Sequence, residues 1–120
     1  MTIDLKSAEI SAPNREHYMT KATAVAPGGE CPTWLTFLDR VTNGDRALVE
    51  YLQRVCGYCL TGSTLEHVLF FLHGTGANGK SVFVNTIAGM LGDYATTAPM
   101  DTFMASNNER HTTELAMLRG

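Results

Sequence analysis

No stretch of this 120-residue chain approaches the length of a membrane span; the longest apolar run, VLFFL at residues 68–72, falls far short of it. Lys and Arg are not clustered anywhere, and the formal net charge is −3, so the sequence carries no electrostatic footprint for nucleic acid. The N-terminus, Met1-Thr2-Ile3-Asp4-Leu5-Lys6, lacks the charged-then-apolar order of an export signal, which makes the cytoplasm the default location. No internal repeat or low-complexity tract is present. Cysteine is scarce, at three residues, and its one suggestive pattern is Cys56-Gly57-Tyr58-Cys59. A redox pair of that form belongs at a helix N-terminus, where the dipole stabilises a thiolate. Here a helical-looking segment precedes it, so the pair falls near a helix C-terminus, the wrong end for that effect. Zinc held with His67 and His73 is a second possibility whose spacing fits no finger, and buried structural thiols are the expectation.

What the chain does have is 44% apolar and 18% charged residues, the mixture of an ordinary folded domain with a core. It also has Gly74-Thr75-Gly76-Ala77-Asn78-Gly79-Lys80-Ser81, which fits G-x-x-x-x-G-K-[ST], the phosphate-binding (Walker A) loop of nucleoside triphosphatases. Each residue type meets a need of a polyphosphate. Gly74 and Gly79 lack a Cβ, so the backbone can take positive φ and bring its N–H groups close to phosphate oxygens. Lys80 supplies a mobile charge for the β- and γ-phosphates, and Ser81 a small hydroxyl for Mg²⁺. The flanks suit the role. The apolar run at 68–72 reads as a buried parallel strand, and KSVFVNTIAGML at 80–91 as a helix whose positive end faces the anion. In that helix Val82, Thr86 and Met90 form one stripe with Phe83 and Ile87 beside it, and Gly92 is placed as a C-cap. Gly74, Gly76 and Gly79 also satisfy G-x-G-x-x-G, the dinucleotide fingerprint. That site needs an acidic residue at the end of a second strand; Asp93 comes too early, and Asp101 follows no apolar strand.

The remaining organisation is coarse. Residues 1–33 are an irregular linker in which Ile3 and Leu5 alternate with polar residues and Ile10 can pair back across Lys6-Ser7-Ala8-Glu9 as a weak hairpin, followed by turn formers at Pro13, Pro27-Gly28-Gly29 and Pro32. Residues 34–62 are a helical region. Its first helix, 34–41, has Thr33 as N-cap and Trp34, Leu35, Leu38 and Val41 at helical spacing. The second, 46–60, follows an Asp45 cap, sets Leu48, Leu52, Val55 and Cys59 on one face with Val49 and Cys56 alongside, and stops at Gly62. Trp34, Phe37 and Tyr51 are assigned to packing. Residues 63–120 then carry the phosphate loop, a helical turn near 100–105, a loop at Ser106-Asn107-Asn108 and a helix near 113–118 ended by Gly120. The polar group Glu109, Arg110, His111 and Glu114 reads as a solvated face.

Hydrolysis of ATP needs more than a cradle: an acidic residue on a second strand for Mg²⁺, a group to position water, and an arginine for the transition state. No apolar strand ending in Asp or Glu follows Leu91 in this sequence. The fold class expected is therefore α/β, an incomplete P-loop NTPase (AAA+-like) core preceded by a small helical region.

Over nearly its whole length the chain resembles the helicase region of the phage and plasmid primase-helicases, within superfamily 3. The resemblance is carried by Thr20-Lys21, Cys31-Pro32-Thr33-Trp34, Phe37-Leu38-Asp39-Arg40, Gly57-Tyr58-Cys59-Leu60-Thr61-Gly62, and Phe70-Phe71-Leu72-His73 leading into the octet and on to Leu91-Gly92-Asp93-Tyr94. It implies a ring-forming ATPase, usually a homo-hexamer, that translocates on single-stranded or forked DNA. It places ATP on residues 74–81, with Lys80 as the catalytic cation and Ser81 on Mg²⁺. It further implies a priming domain before Met1 and a Mg²⁺-binding acidic strand and arginine finger after Gly120, so the chain reads as the middle of a longer polypeptide. The hairpin turn near Ser7-Ala8-Glu9 departs from the family in lacking its usual Gly. Two other readings stand beside this one: a nucleotide or small-molecule kinase sharing the loop, and an inactive remnant that binds nucleotide weakly.

Overall fold

The computed structural model describes residues 1–100. The expectations for the segments near 100–105, 106–108 and 113–118, and for Glu109, Arg110, His111 and Glu114, lie outside the described residues or run past them.

The chain begins with the hairpin. Strands β1 (Thr2–Ile3) and β2 (Ile10–Ser11) pair antiparallel, with Ile3 opposite Ile10 and Thr2 opposite Ser11. The turn between them is held by Asp4. Its carboxylate accepts the Lys6 N–H (2.7 Å) and the Ser7 N–H (3.1 Å), and its carbonyl accepts the Ala8 N–H at 2.8 Å. Those two backbone donors, with Lys6's charge adding, hold the Asp4 carboxyl below the usual carboxylate range. Ala8 stands at φ +58°, the left-handed conformation for which the missing Gly would have been the natural residue.

Helix α1 (Pro32–Val41) starts two residues earlier than a Thr33 cap would require. Pro32 sits at the first helical position, where its missing N–H costs nothing and its fixed φ suits the helix. Cys31 is the N-cap and makes no side-chain cap bond, so Thr33 is a helical residue rather than the cap. Helix α2 (Arg46–Thr61) follows the Asn43-Gly44 turn. The Asp45 carboxylate caps it by accepting the Leu48 N–H at 3.0 Å, and Gly62 ends it at φ +63°. Helix α3 (Lys80–Leu91) has the bounds its periodicity predicts.

The helices meet through aromatic rings. Trp34 is stacked between Phe37 (centroids 5.2 Å apart) and Phe83 (5.6 Å), which ties α1 to α3. Leu38 and Phe83, at 7% and 9% exposure, are the buried apolar residues among those described. The covered faces differ in detail from the expected ones. On α1, Phe37 takes the inward place assigned to Leu35, which is exposed. On α3 the covered residues are Phe83, Ile87, Ala88 and Leu91, while Val82, Thr86 and Met90 face out. On α2 the covered residues are Val49, Leu52, Val55, Cys56 and Tyr58, while Leu48, Tyr51 and Cys59 are exposed.

The largest correction concerns residues 68–72. They form no strand: Leu69 and Phe71 are 75% and 78% exposed, and only Phe70 is half-covered, its ring set edge-on to Tyr58 at 6.2 Å. A strand exists only when a neighbour takes its N–H and C=O groups, and no such neighbour lies among the described residues. The parallel sheet of a P-loop NTPase therefore has no counterpart there; the sheet is β1 and β2 alone. Without a sheet to cover the helices, the core stays thin.

Candidate functional site

The octet forms an exposed loop from Gly74 to Asn78 that turns into α3 at Gly79. Gly74 (φ +154°), Ala77 (φ +59°) and Gly79 (φ +82°) take the positive φ values that curl the backbone; Gly76 does not. Ala77 was not singled out by residue type, since it is an alanine where the sequence pointed to glycines. A Cβ at Gly74 would collide with the Asn78 side-chain amide, so the start and end of the loop are in close contact.

Lys80 folds back over this curl. Its Nζ donates to the Gly74 carbonyl oxygen (3.1 Å), the Thr75 carbonyl oxygen (3.3 Å) and Asn78 Oδ1 (2.6 Å). All three acceptors are neutral, and no carboxylate pairs with Lys80 among the described residues, so its charge remains available to an anion. None of the amides of Thr75, Gly76, Ala77, Asn78 or Gly79 donates to a protein acceptor among the described residues. Gly79, the N-cap of α3, makes no side-chain cap bond, which leaves the donors of the helix's first turn to another partner. Ser81 is exposed on that turn. A cation, a row of unpartnered N–H groups and a helix N-terminus meet the needs of a polyphosphate, and the Ser81 hydroxyl is of the kind that ligates its Mg²⁺.

The loop is positioned from behind by α1. A Cβ placed on Gly79 would lie 2.6 Å from Val41 Cγ1 and 3.2 Å from the Phe37 ring. The far end of α3 is tied to the N-terminal segment. The Ala24 N–H donates to Met90 (3.1 Å), the Asp93 N–H to the Ala22 carbonyl oxygen (3.2 Å), and the Tyr94 hydroxyl to the Lys21 carbonyl oxygen (3.0 Å). Asp93 Oδ2 in turn accepts the Ala22 N–H at 3.4 Å, so this carboxylate serves the docking of residues 21–24 and not a ribose. Of these tertiary partners, Phe37 was assigned to packing, Val41 to the helical stripe of 34–41 and Asn78 to the octet, while Ala22 left no signal in the sequence pattern.

The cysteines do not fulfil the expectation of buried thiols. Cys31 and Cys59 are exposed and Cys56 is half-buried; all three are free. Burial pushes the Cys56 thiol up from its ordinary value, and neighbouring Cys59 adds to the shift. A raised pKa keeps Cys56 protonated, the opposite of what a redox nucleophile requires. Among the described residues no helix is long and apolar enough to cross a membrane.

Known proteins resemble this chain in two respects. Residues 1–43 match the family described as D5 N terminal like. The chain is also 34% identical over 80 residues to a protein of Acanthamoeba polyphaga mimivirus named "Putative helicase". That similarity covers 63% of this chain and 8% of the viral protein, so the chain spans a small part of its relative's length. No solved structure matches. The family match covers the hairpin, the segment at 21–24 that docks on the far end of α3, and α1, which lies against Gly79. Together these two similarities relate the chain to the helicase and primase-helicase proteins.

Proposed function

We propose that this chain is the ATP-binding portion of a replicative DNA helicase of the primase-helicase kind. The observation that carries the reading is the Lys80 ammonium held inside a curl of backbone whose amides have no protein acceptor among the described residues. Lys80 would engage the β- and γ-phosphates, the amides of Thr75 to Gly79 the remaining phosphate oxygens, and Ser81 the Mg²⁺. Bound Mg²⁺ would supply charge neutralisation between the phosphates. To admit the nucleotide, the chain must release Lys80 from Gly74, Thr75 and Asn78 and re-aim it at the anion.

In the longer protein, residues 68–72 would become a strand of the P-loop core once other strands pair with them, which accounts for their apolar side chains. Single-stranded or forked DNA and a homo-hexameric ring are the partners this reading implies. Within the present sequence no apolar strand ending in Asp or Glu follows the loop. The 120 residues alone are accordingly expected to bind ATP with negligible turnover.

Titration of labelled ATP into the chain and its Lys80→Ala variant tests the reading. The variant should lose at least about tenfold in affinity, the scale of one charge-assisted contact. Equal binding by the two would remove the assignment.

A further inference from the structure

The phosphate-type loop does not rest on its own glycines alone; it rests on α1. Gly79 is the hinge between loop and helix, and it stands at φ +82°, where an L side chain is strained. It also lies so close to α1 that a single added carbon would meet Val41 Cγ1 at 2.6 Å and the Phe37 Cε2 and Cζ atoms at 3.2 Å. The contact continues on either side. Phe37 stacks on Trp34, and Trp34 stacks on Phe83, which lies one turn after Lys80 on α3 and is itself buried. The Phe83 N–H closes that first turn on the Gly79 carbonyl oxygen at 2.9 Å. Gly79 and the first turn of α3 are thus gripped at two points by one face of α1. Loop residues 74–78 are exposed and have no comparable support among the described residues.

We infer that Phe37 and Val41 are positioning residues for the phosphate site: they set the height and tilt at which Gly79 delivers Lys80 and the first amides of α3 to a bound triphosphate. The inference rests on the nucleotide reading of residues 74–81 and goes beyond it, by making α1 part of the apparatus that sets nucleotide affinity. The physical basis is preorganisation. Ordering a loop at the moment of binding costs conformational entropy, and a loop whose last turn is already clamped has less left to lose. Removing the Phe37 ring leaves a space beside Gly79 and frees Trp34 on one side, so the amides after Gly79 should sample more orientations.

The test uses the full chain, with Phe37→Ala, Val41→Ala, Phe37→Leu, Leu38→Ala and Lys80→Ala variants, each checked for parental helix content by circular dichroism. Two readouts are taken. The first is hydrogen–deuterium exchange, without nucleotide, of the amides of residues 83–86, which close the first turns of α3 beginning with the Phe83 N–H on the Gly79 carbonyl oxygen. Phe37→Ala and Val41→Ala should raise it several-fold, whereas Phe37→Leu, which refills most of the space, should restore it. The second is ATP affinity, followed by Trp34 emission, Trp34 being the chain's single tryptophan and part of the same stack. Phe37→Ala should weaken binding about tenfold and Val41→Ala about threefold. Leu38→Ala, buried on α1 but not among the atoms nearest Gly79, should lower stability while leaving the affinity of the folded chain unchanged.

Unchanged exchange at residues 83–86 in both Phe37→Ala and Val41→Ala overturns the inference, whatever the chain binds. Lys80-dependent ATP binding that is equally tight in the parent, Phe37→Ala and Val41→Ala overturns it while sparing the nucleotide reading. ATP binding that is absent, or indifferent to Lys80→Ala, overturns the nucleotide reading and this inference with it. Should Phe37→Ala fail to fold, Val41→Ala, which removes only two methyl groups, decides the matter alone.

Discussion

The two segments flanking the phosphate-type loop are both apolar, yet they end in opposite states. Residues 80–91 form α3 with the bounds read from their periodicity, while residues 68–72 form no strand among the described residues and are mostly exposed. The difference lies in where each backbone finds its hydrogen bonds. A helix satisfies itself within four residues, so α3 needs a partner only for its side chains, and the Trp34 stack on Phe83 supplies one. A strand owes every bond to another strand, and none is at hand among the described residues. Apolar composition alone therefore says how much a segment gains from burial, and backbone chemistry says whether it can wait for that burial as a formed element.

The sharpest way to break this comparison is to cut one large ring from each flank. Phe83→Ala should destabilise the chain by about 3 kcal/mol, since it empties a buried site and releases Trp34. Phe71→Ala, on a residue 78% exposed, should move stability by less than about 0.5 kcal/mol. Urea unfolding of both variants measures the contrast; comparable losses would mean that residues 68–72 are packed after all. A smaller effect tests whether the self-sufficiency of helices holds for α2. Removing its cap with Asp45→Ala should cost about 1 kcal/mol by the same measurement, because the Leu48 N–H loses its acceptor. An unchanged midpoint would show that water replaces the carboxylate at no cost.

The smallest effect concerns the hairpin, where strands do form among the described residues. The depressed Asp4 pKa means that its ionised form favours the folded turn. Support from Asp4 should be fully present above the ordinary carboxylate pKa and fade as pH falls through the lower, folded-state value. The amide resonances of Lys6 and Ser7 should follow that titration, and in Asp4→Asn they should show no such acid limb. Amides in the parent that ignore acid would remove the carboxylate from the turn.

Much of the local structure was legible residue by residue. Asp45 and Gly62 mark the ends of α2 because a short carboxylate and a missing Cβ have few other uses at those positions. The alternation at Ile3 and Leu5 marked the hairpin but not its register: Leu5 lies in the turn, which Asp4 opens, and Ile3 is the residue opposite Ile10. Pro32, read as a turn former of the linker, is instead the first helical residue of α1, since a fixed φ and an absent N–H are stronger constraints than an optional hydroxyl cap at Thr33. Which face each helix turns inward was less legible. Leu35 and Phe37 are equally apolar, and the choice of Phe37 depends on Trp34 and Gly79 lying nearby in space.

The candidate site divides in the same way. The residue types on which the proposal rests are read from the sequence alone: glycines where the backbone can curl, Lys80 as a cation, Ser81 as a hydroxyl, and a helix to follow, because these depend on residue type and near spacing. How those residues are held follows from the folded chain. It places Lys80 on Asn78 and the loop carbonyls, sets Gly79 against Phe37 and Val41, and pins the end of α3 to residues 21–24. The contacts of Gly79 and of the end of α3 join residues far apart in the chain, and their energy depends on distances that spacing along one sequence does not specify.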